Sequence, residues 1–176
     1  MKNIKRAALF LGLGFLLVSC GEEKSEWQNF YGFTSADIVG TYSYSNHPGA
    51  FDGVEGPGRH ACEDAEVGIT TSADSLGKIV FSLHCPDEDY SRSIEGYPSP
   101  NEDDFMIRMS TGIIHSGSHP KAHNINGYVM KNAKQQIRVH GYATVNTYKV
   151  ETDPQTGVET DVIDDQVYYY FDVIKD

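Results

Sequence analysis

The sequence predicts an all-β fold, an antiparallel meander that closes into a barrel or stacks as a β-sandwich. Two observations carry this expectation. Apolar residues recur at every second position in several separate stretches, which gives a pleated strand one sheltered face and one wet face. Turn-forming residues separate these stretches at short intervals, a rhythm typical of barrels and sandwiches.

In chain order, the first element is a short helix near Ser35–Ile38, with Ser35 as its cap. Ile79, Phe81 and Leu83 share one strand face, opposite Lys78, Ser82 and His84. Phe105, Ile107 and Met109 alternate in the next clear strand. Ile137, Val139, Ala143 and Val145 face one way, and Arg138, His140, Thr144 and Asn146 the other. The final strand places Val167, Tyr169, Phe171 and Val173 inward. Breaks fall at Ser72-Ala73-Asp74-Ser75-Leu76-Gly77, at Lys131-Asn132-Ala133-Lys134 and at Asp153-Pro154-Gln155-Thr156-Gly157. Proline fixes φ in such turns, and glycine accepts positive φ. The count is roughly seven or eight strands, within the range of small barrels and sandwiches.

The segment Ile38-Val39-Gly40-Thr41-Tyr42 resembles the Gly-Thr-aromatic opening of lipocalin-like barrels. The stretch from Ile125-Asn126-Gly127-Tyr128 to Val145 is similar to the closing strands of calycin-like domains in bacterial lipoproteins. The likeness spans most of residues 37–174. The Gly- and Pro-rich stretch Asn46–His60 departs from a compact lipocalin opening. The resemblance implies a cup that binds something small.

The chain begins with Lys2, Lys5 and Arg6 and continues with an uncharged run from Ala7 to Val18. This is the secretory pattern, and the run is too short to span a bilayer, which takes about 20 apolar residues. Leu17-Val18-Ser19-Cys20-Gly21 resembles the bacterial lipobox. That likeness implies cleavage before Cys20, acylation of its thiol, and stable anchoring through two or more acyl chains. The alternative is an ordinary signal peptide with a chance cysteine. Glu22, Glu23, Lys24, Ser25 and Glu26 then form a polar tether, which also resembles the acidic tag of some surface-displayed lipoproteins. The expected organisation is a signal peptide over 1–19, an anchor and tether over 20–36, and one domain over 37–176. The expected site is the outer membrane, with either the periplasmic or the outer face open.

Removing 19 residues from 176 leaves 157, and losing three positive charges moves the net charge from −11 to −14. A chain this acidic is repelled by nucleic acid and by anionic lipid head groups. Cationic partners, sugars and neutral small molecules remain.

Cys62 and Cys85 are the thiols left once Cys20 is acylated, and in an oxidising compartment such a pair forms a disulfide. A metal site is the rival reading, because His60 and His84 lie beside them, but the tight Cys-x2-Cys spacing is missing. His115, His119 and His123 are spaced by four and could bind metal if the backbone brought them together. Gly117 and Pro120 argue against the helix that would align them. The acidic runs Asp87-Glu88-Asp89, Glu102-Asp103-Asp104 and Asp161 to Asp165 lack calcium-loop spacing and read as solvated tips.

No nucleophile elbow, phosphate-cradling loop or dinucleotide fingerprint occurs, so the expectation is a protein without a cofactor and without catalysis. Tyr168 and Tyr170 share a face opposite Tyr169, and Tyr142 and Tyr148 lie on the polar side of their strand. Such tyrosines stiffen a sheet as cross-strand pairs, or stack on sugar rings and anchor partners. The leading functional expectation is a membrane-anchored module that binds a small ligand or glycan. An accessory subunit docking on a protein partner is the second, and a histidine-based metal protein the third.

Overall fold

The computed structural model describes residues 27–74, 76–98, 105–115 and 119–176. The expected signal segment, Cys20, the acidic stretch through Glu26 and the run Glu102-Asp103-Asp104 lie outside the described residues.

The fold is all-β. Ten strands run β1 Gln28–Asn29, β2 Gly40–Tyr44, β3 Arg59–Ala61, β4 Glu66–Thr71, β5 Ile79–Cys85, β6 Tyr90–Gly96, β7 Met106–Ser110, β8 Lys121–Lys131, β9 Ile137–Thr152 and β10 Glu159–Lys175. One helical turn, α1 (Ser35–Ile38), precedes β2. The strands form one sheet in the order β1-β8-β9-β10-β2-β4-β5-β6, with β7 also on β8 and β3 also on β10. Every ladder is antiparallel except β3–β10.

Among the described residues the expected barrel does not close, and no second sheet makes a sandwich. The sheet curls far enough that a Cβ added to Gly96 of β6 would lie 3.4 Å from Met109 Cε of β7. No ladder joins these two strands among the described residues; Arg108 N–H donates to Pro98 O at 3.3 Å instead. Ser91, Arg92, Ser93 and Glu95 keep the β6 edge exposed and polar, the usual way an edge strand avoids further pairing.

Alternation holds on the concave side. Ile79, Phe81 and Leu83 are buried, as are Ile107, Met109, Ile125, Val139, Phe171 and Val173. Tyr42, Phe81 and Phe171 fill the centre, with the two phenylalanine rings 5.8 Å apart. Burying these side chains is the main driving force for the fold, roughly 1.5–3 kcal/mol for each large one. The concave side is thus packed with the protein's own side chains.

Local expectations hold with three corrections. Thr34 caps α1, not Ser35: Thr34 N–H and Oγ1 both donate to Asp37 Oδ2, at 2.7 and 2.6 Å, while Ser35 Oγ donates to Gly77 O. Phe105 turns away from the core because Tyr31 and Tyr128 take its ring, at 4.9 and 5.7 Å. The outward face of β9 is not simply wet, since Arg138, Thr144 and Asn146 are buried. Ahead of α1, β1 pairs with β8 and Phe33 joins the core.

Cys62 and Cys85 form a disulfide with Cα atoms 5.3 Å apart. It ties the residue after β3 to the end of β5 across a 23-residue separation, worth about 3 kcal/mol in the chain-entropy account. With both thiols bonded, the rival metal reading loses its ligands. His60 Nδ1 instead meets Glu88 Oε2 at 2.6 Å.

Two glycines set how closely β8 and β9 approach. Gly127 and Gly141 pair directly across the ladder, and Phe171 is the β10 partner of Gly141. A Cβ on Gly141 would fall 2.0 Å from Asn126 O, and one on Gly127 would fall 2.9 Å from Val139 Cγ1 and 3.7 Å from the Phe171 ring. A backbone oxygen cannot move aside as a flexible side chain can. Gly141→Ala should therefore destabilise the protein by about 1–3 kcal/mol, the usual overpacking cost. Urea unfolding would check this as a lowered midpoint.

Candidate functional site

The outward face of β7–β10 gathers polar and aromatic side chains in ladder rows. One row runs Arg108, Asn126, Tyr142, Tyr170; a second runs Met106, Tyr128, His140, Asp172; a third runs Ser110, Asn124, Thr144, Tyr168. Parallel pairing with β3 then places Arg59 beside Tyr168. These rows follow from strand period alone, because residues paired across a ladder share a face.

Three tyrosines form the middle of this face. The Tyr142 ring lies 5.7 Å from both Tyr168 and Tyr170, and Tyr168 stacks on Tyr170 at 6.0 Å. All three are half-buried, two of them stacked and the third tilted against both. The Arg59 guanidinium sits 6.0 Å over the Tyr168 ring. Hydrogen bonds fix the surroundings: Asn124 Nδ2 donates to Thr144 Oγ1 at 3.0 Å, Gln166 Nε2 donates to Asn146 Oδ1 at 2.7 Å, and Tyr168 Oη donates to Gln166 Oε1. Burial and the neighbouring Tyr128, Tyr168 and Tyr170 raise the Tyr142 phenol above its usual range, so it remains a neutral donor and acceptor near neutral pH.

A buried ion pair supports the same face. Arg138 Nε donates to Asp172 Oδ1 at 2.6 Å and Nη2 to Oδ2 at 2.5 Å, with Asp172 fully buried. The Trp27 ring lies 5.7 Å from the guanidinium carbon. Strand alternation puts Arg138 on the outward face, as expected from the sequence, but its pairing and the cover of Trp27 could not be read there. Removing one member would strand a buried charge at a cost of about 3–5 kcal/mol.

The central tyrosine, Tyr169, points inward and stacks on Tyr90 at 4.0 Å and on His60 at 5.3 Å. On the opposite wall, Thr41, Ser43, Glu66, Ser82, His84, Ser91 and Asp176 line an open depression of about 470 Å³. It has no cluster of aromatic rings.

The three histidines expected as metal ligands are not brought together. His115 is exposed, with Nε2 3.6 Å from Asp161 Oδ2; His119 is exposed; His123 is buried within β8. No group of three or more His, Cys, Asp or Glu placed to hold a metal occurs among the described residues. The reason is the strand that begins at Lys121, which draws His123 into the sheet and leaves the other two before it.

The fold and site define a class: an all-β domain built on one curled antiparallel sheet, with a filled interior and a tyrosine-rich outer face. No family model, curated protein or solved structure matches the chain.

His123 and His140 both hold a buried Nδ1 without a hydrogen-bond partner. Burial lowers both pKa values from the ordinary 6.5, helped at His123 by Arg92 and Lys121, and at His140 by Arg138 and His47 against the opposing pull of Asp172. Below pH 6.5 the unfolded chain therefore takes up protons that the folded chain resists. Stability should hold above that pH and fall as pH drops beneath it. His140→Gln should flatten the fall, read as melting temperature against pH. The depressed Asp37 carboxyl, held by its bonds to Thr34, acts in a separate window below its ordinary 3.8.

Proposed function

We propose that this protein is a membrane-anchored, non-catalytic binding module whose outward tyrosine face holds a glycan. The observation that carries the reading is the contiguous Tyr142–Tyr168–Tyr170 cluster on a polar sheet face, bordered by Asn126, Arg108 and Arg59. Sugar rings present C–H faces to aromatic rings and hydroxyls to amides and guanidinium groups, so the mixture matches their chemistry. A flat, half-exposed site suits an extended glycan better than a compact apolar ligand, because the interior is already packed.

Attachment is through acylated Cys20, with the polar stretch to Glu26 as tether and the outer membrane as the location. Mass spectrometry of the mature N-terminus reads this directly, and a free Cys20 or cleavage elsewhere would overturn the anchor.

The binding reading is tested on a glycan array followed by calorimetry with the best hit. Tyr142→Ala and Tyr168→Ala should each weaken affinity about tenfold, the scale of one lost aromatic contact of roughly 1.4 kcal/mol. Ser82→Ala on the opposite wall should leave affinity unchanged. An array without hits, or a hit indifferent to both tyrosines, would reject the reading.

A further inference from the structure

The β9–β10 hairpin runs past the rest of the sheet. The last β8–β9 pair is Lys121–Thr147, and β3 meets β10 only at Tyr168–Tyr170. Five further pairs, from Tyr148–Ile163 to Thr152–Glu159, join no third strand among the described residues. Their outside contacts lie at the Tyr148 N–H, which donates to Pro120 O at 2.8 Å, and at Asp161, which meets His115. At about 3.4 Å per residue the five pairs form an arm of roughly 20 Å with its turn.

The arm is unusual in what it exposes. Val150, Val158, Val162 and Ile163 are 52%, 57%, 37% and 50% exposed. Ile113 and Ile114 stand exposed near its base, where His115 contacts Asp161. By register, Tyr148 and Ile163 share one side with Val150 and Asp161, giving an apolar strip with a carboxylate on it. Residues 148–165 carry Glu151, Asp153, Glu159, Asp161, Asp164 and Asp165 against Lys149 alone, six negative charges less one positive, or −5. Lys149 is already engaged by Glu151 at 3.0 Å and Asp164 at 3.6 Å.

A free two-stranded ribbon gains little stability by itself in water, and apolar side chains grouped on a surface mark an interaction site. The charge selects the occupant. A second copy would set −5 against −5, and an anionic lipid surface would also repel the arm. We propose that the arm docks on a partner protein through the Tyr148–Val150–Ile163 side, against an apolar patch ringed by lysine or arginine. Complementary charge around an apolar centre speeds encounter and fixes orientation.

The test uses the full-length protein in its own membrane, with a photo-crosslinking phenylalanine analogue at Val150 and a control at Ser82. The expected result is one polypeptide adduct at position 150, mapped to a segment of net positive charge. Its yield should fall at least fivefold in the Glu159→Gln/Asp161→Asn variant and again at raised salt, with no adduct from position 82. Crosslinks to lipid, to a second copy or to an acidic segment would overturn the proposal. So would no adduct, or a yield indifferent to both the double variant and salt. Both substitutions lie outside the core, and an unchanged melting temperature confirms folding. The tyrosine variants leave this assay untouched, so the arm and the glycan face stand or fall separately.

Discussion

The close approach of β8 and β9 at Gly127 and Gly141, with the Phe171 ring against it, holds the register on which the rest of the structure depends. A strand has a side-chain period of two, so a slip of one residue would turn every inward side chain outward. Here the slip is blocked sterically: only a residue without a Cβ fits beneath Phe171 at that spacing. Phe171 is fully buried and meets Phe81 of β5 across the concave side, so the same ring couples the two walls of the curled sheet. Once this register is set, Tyr142, Tyr168 and Tyr170 must emerge together on the other face.

The buried Arg138–Asp172 pair ties two of these strands, β9 and β10, from outside. Two charged groups removed from water seldom add stability over an apolar pair. Their bidentate geometry instead makes a misaligned β9–β10 ladder costly, because a shifted register would leave a buried carboxylate without its guanidinium. The glycine pair inside and the ion pair outside therefore oppose slippage from both faces. His140 pays part of the cost: placed directly opposite Asp172, it is buried enough that its charged form is disfavoured.

Much of this was legible in the sequence. Alternation in Ile79–Leu83, Ile107–Met109 and Val167–Val173 correctly assigns inward faces, because burial on one side of a pleat leaves a direct periodic trace. The separation of Tyr169 from Tyr168 and Tyr170 follows from the same period. Closure was not legible, since it depends on how far the sheet twists and on whether β6 meets β7, and neither property is periodic. Arg138 was assigned to the outward side but not to a buried pair, because its partner is 34 residues away and no local pattern marks it. Histidine spacing misled for a related reason: a regular interval brings side chains together only within one regular element, and His123 enters a strand that His115 does not share.

The outward face of β9–β10 also changes character along its length, and a single extra residue explains how. The ladder shifts between Ile163 and Asp165, leaving Asp164 as the added residue of a bulge. Below it, even-numbered residues of β10 face out: Gln166, Tyr168 and Tyr170. Above it the alternation inverts, so Ile163 faces out with Tyr148, and Asp161 with Val150. An insertion of this kind re-aims side chains while the two strands remain continuous. Without it, Val162 would take the Tyr148–Val150 side and Ile163 the opposite one. The bulge thus joins an aromatic, amide-rich surface on the body to an apolar, acidic one on the arm, on the same pair of strands. Whatever the body holds and whatever the arm meets are consequently set at a fixed distance by the β9–β10 ladder.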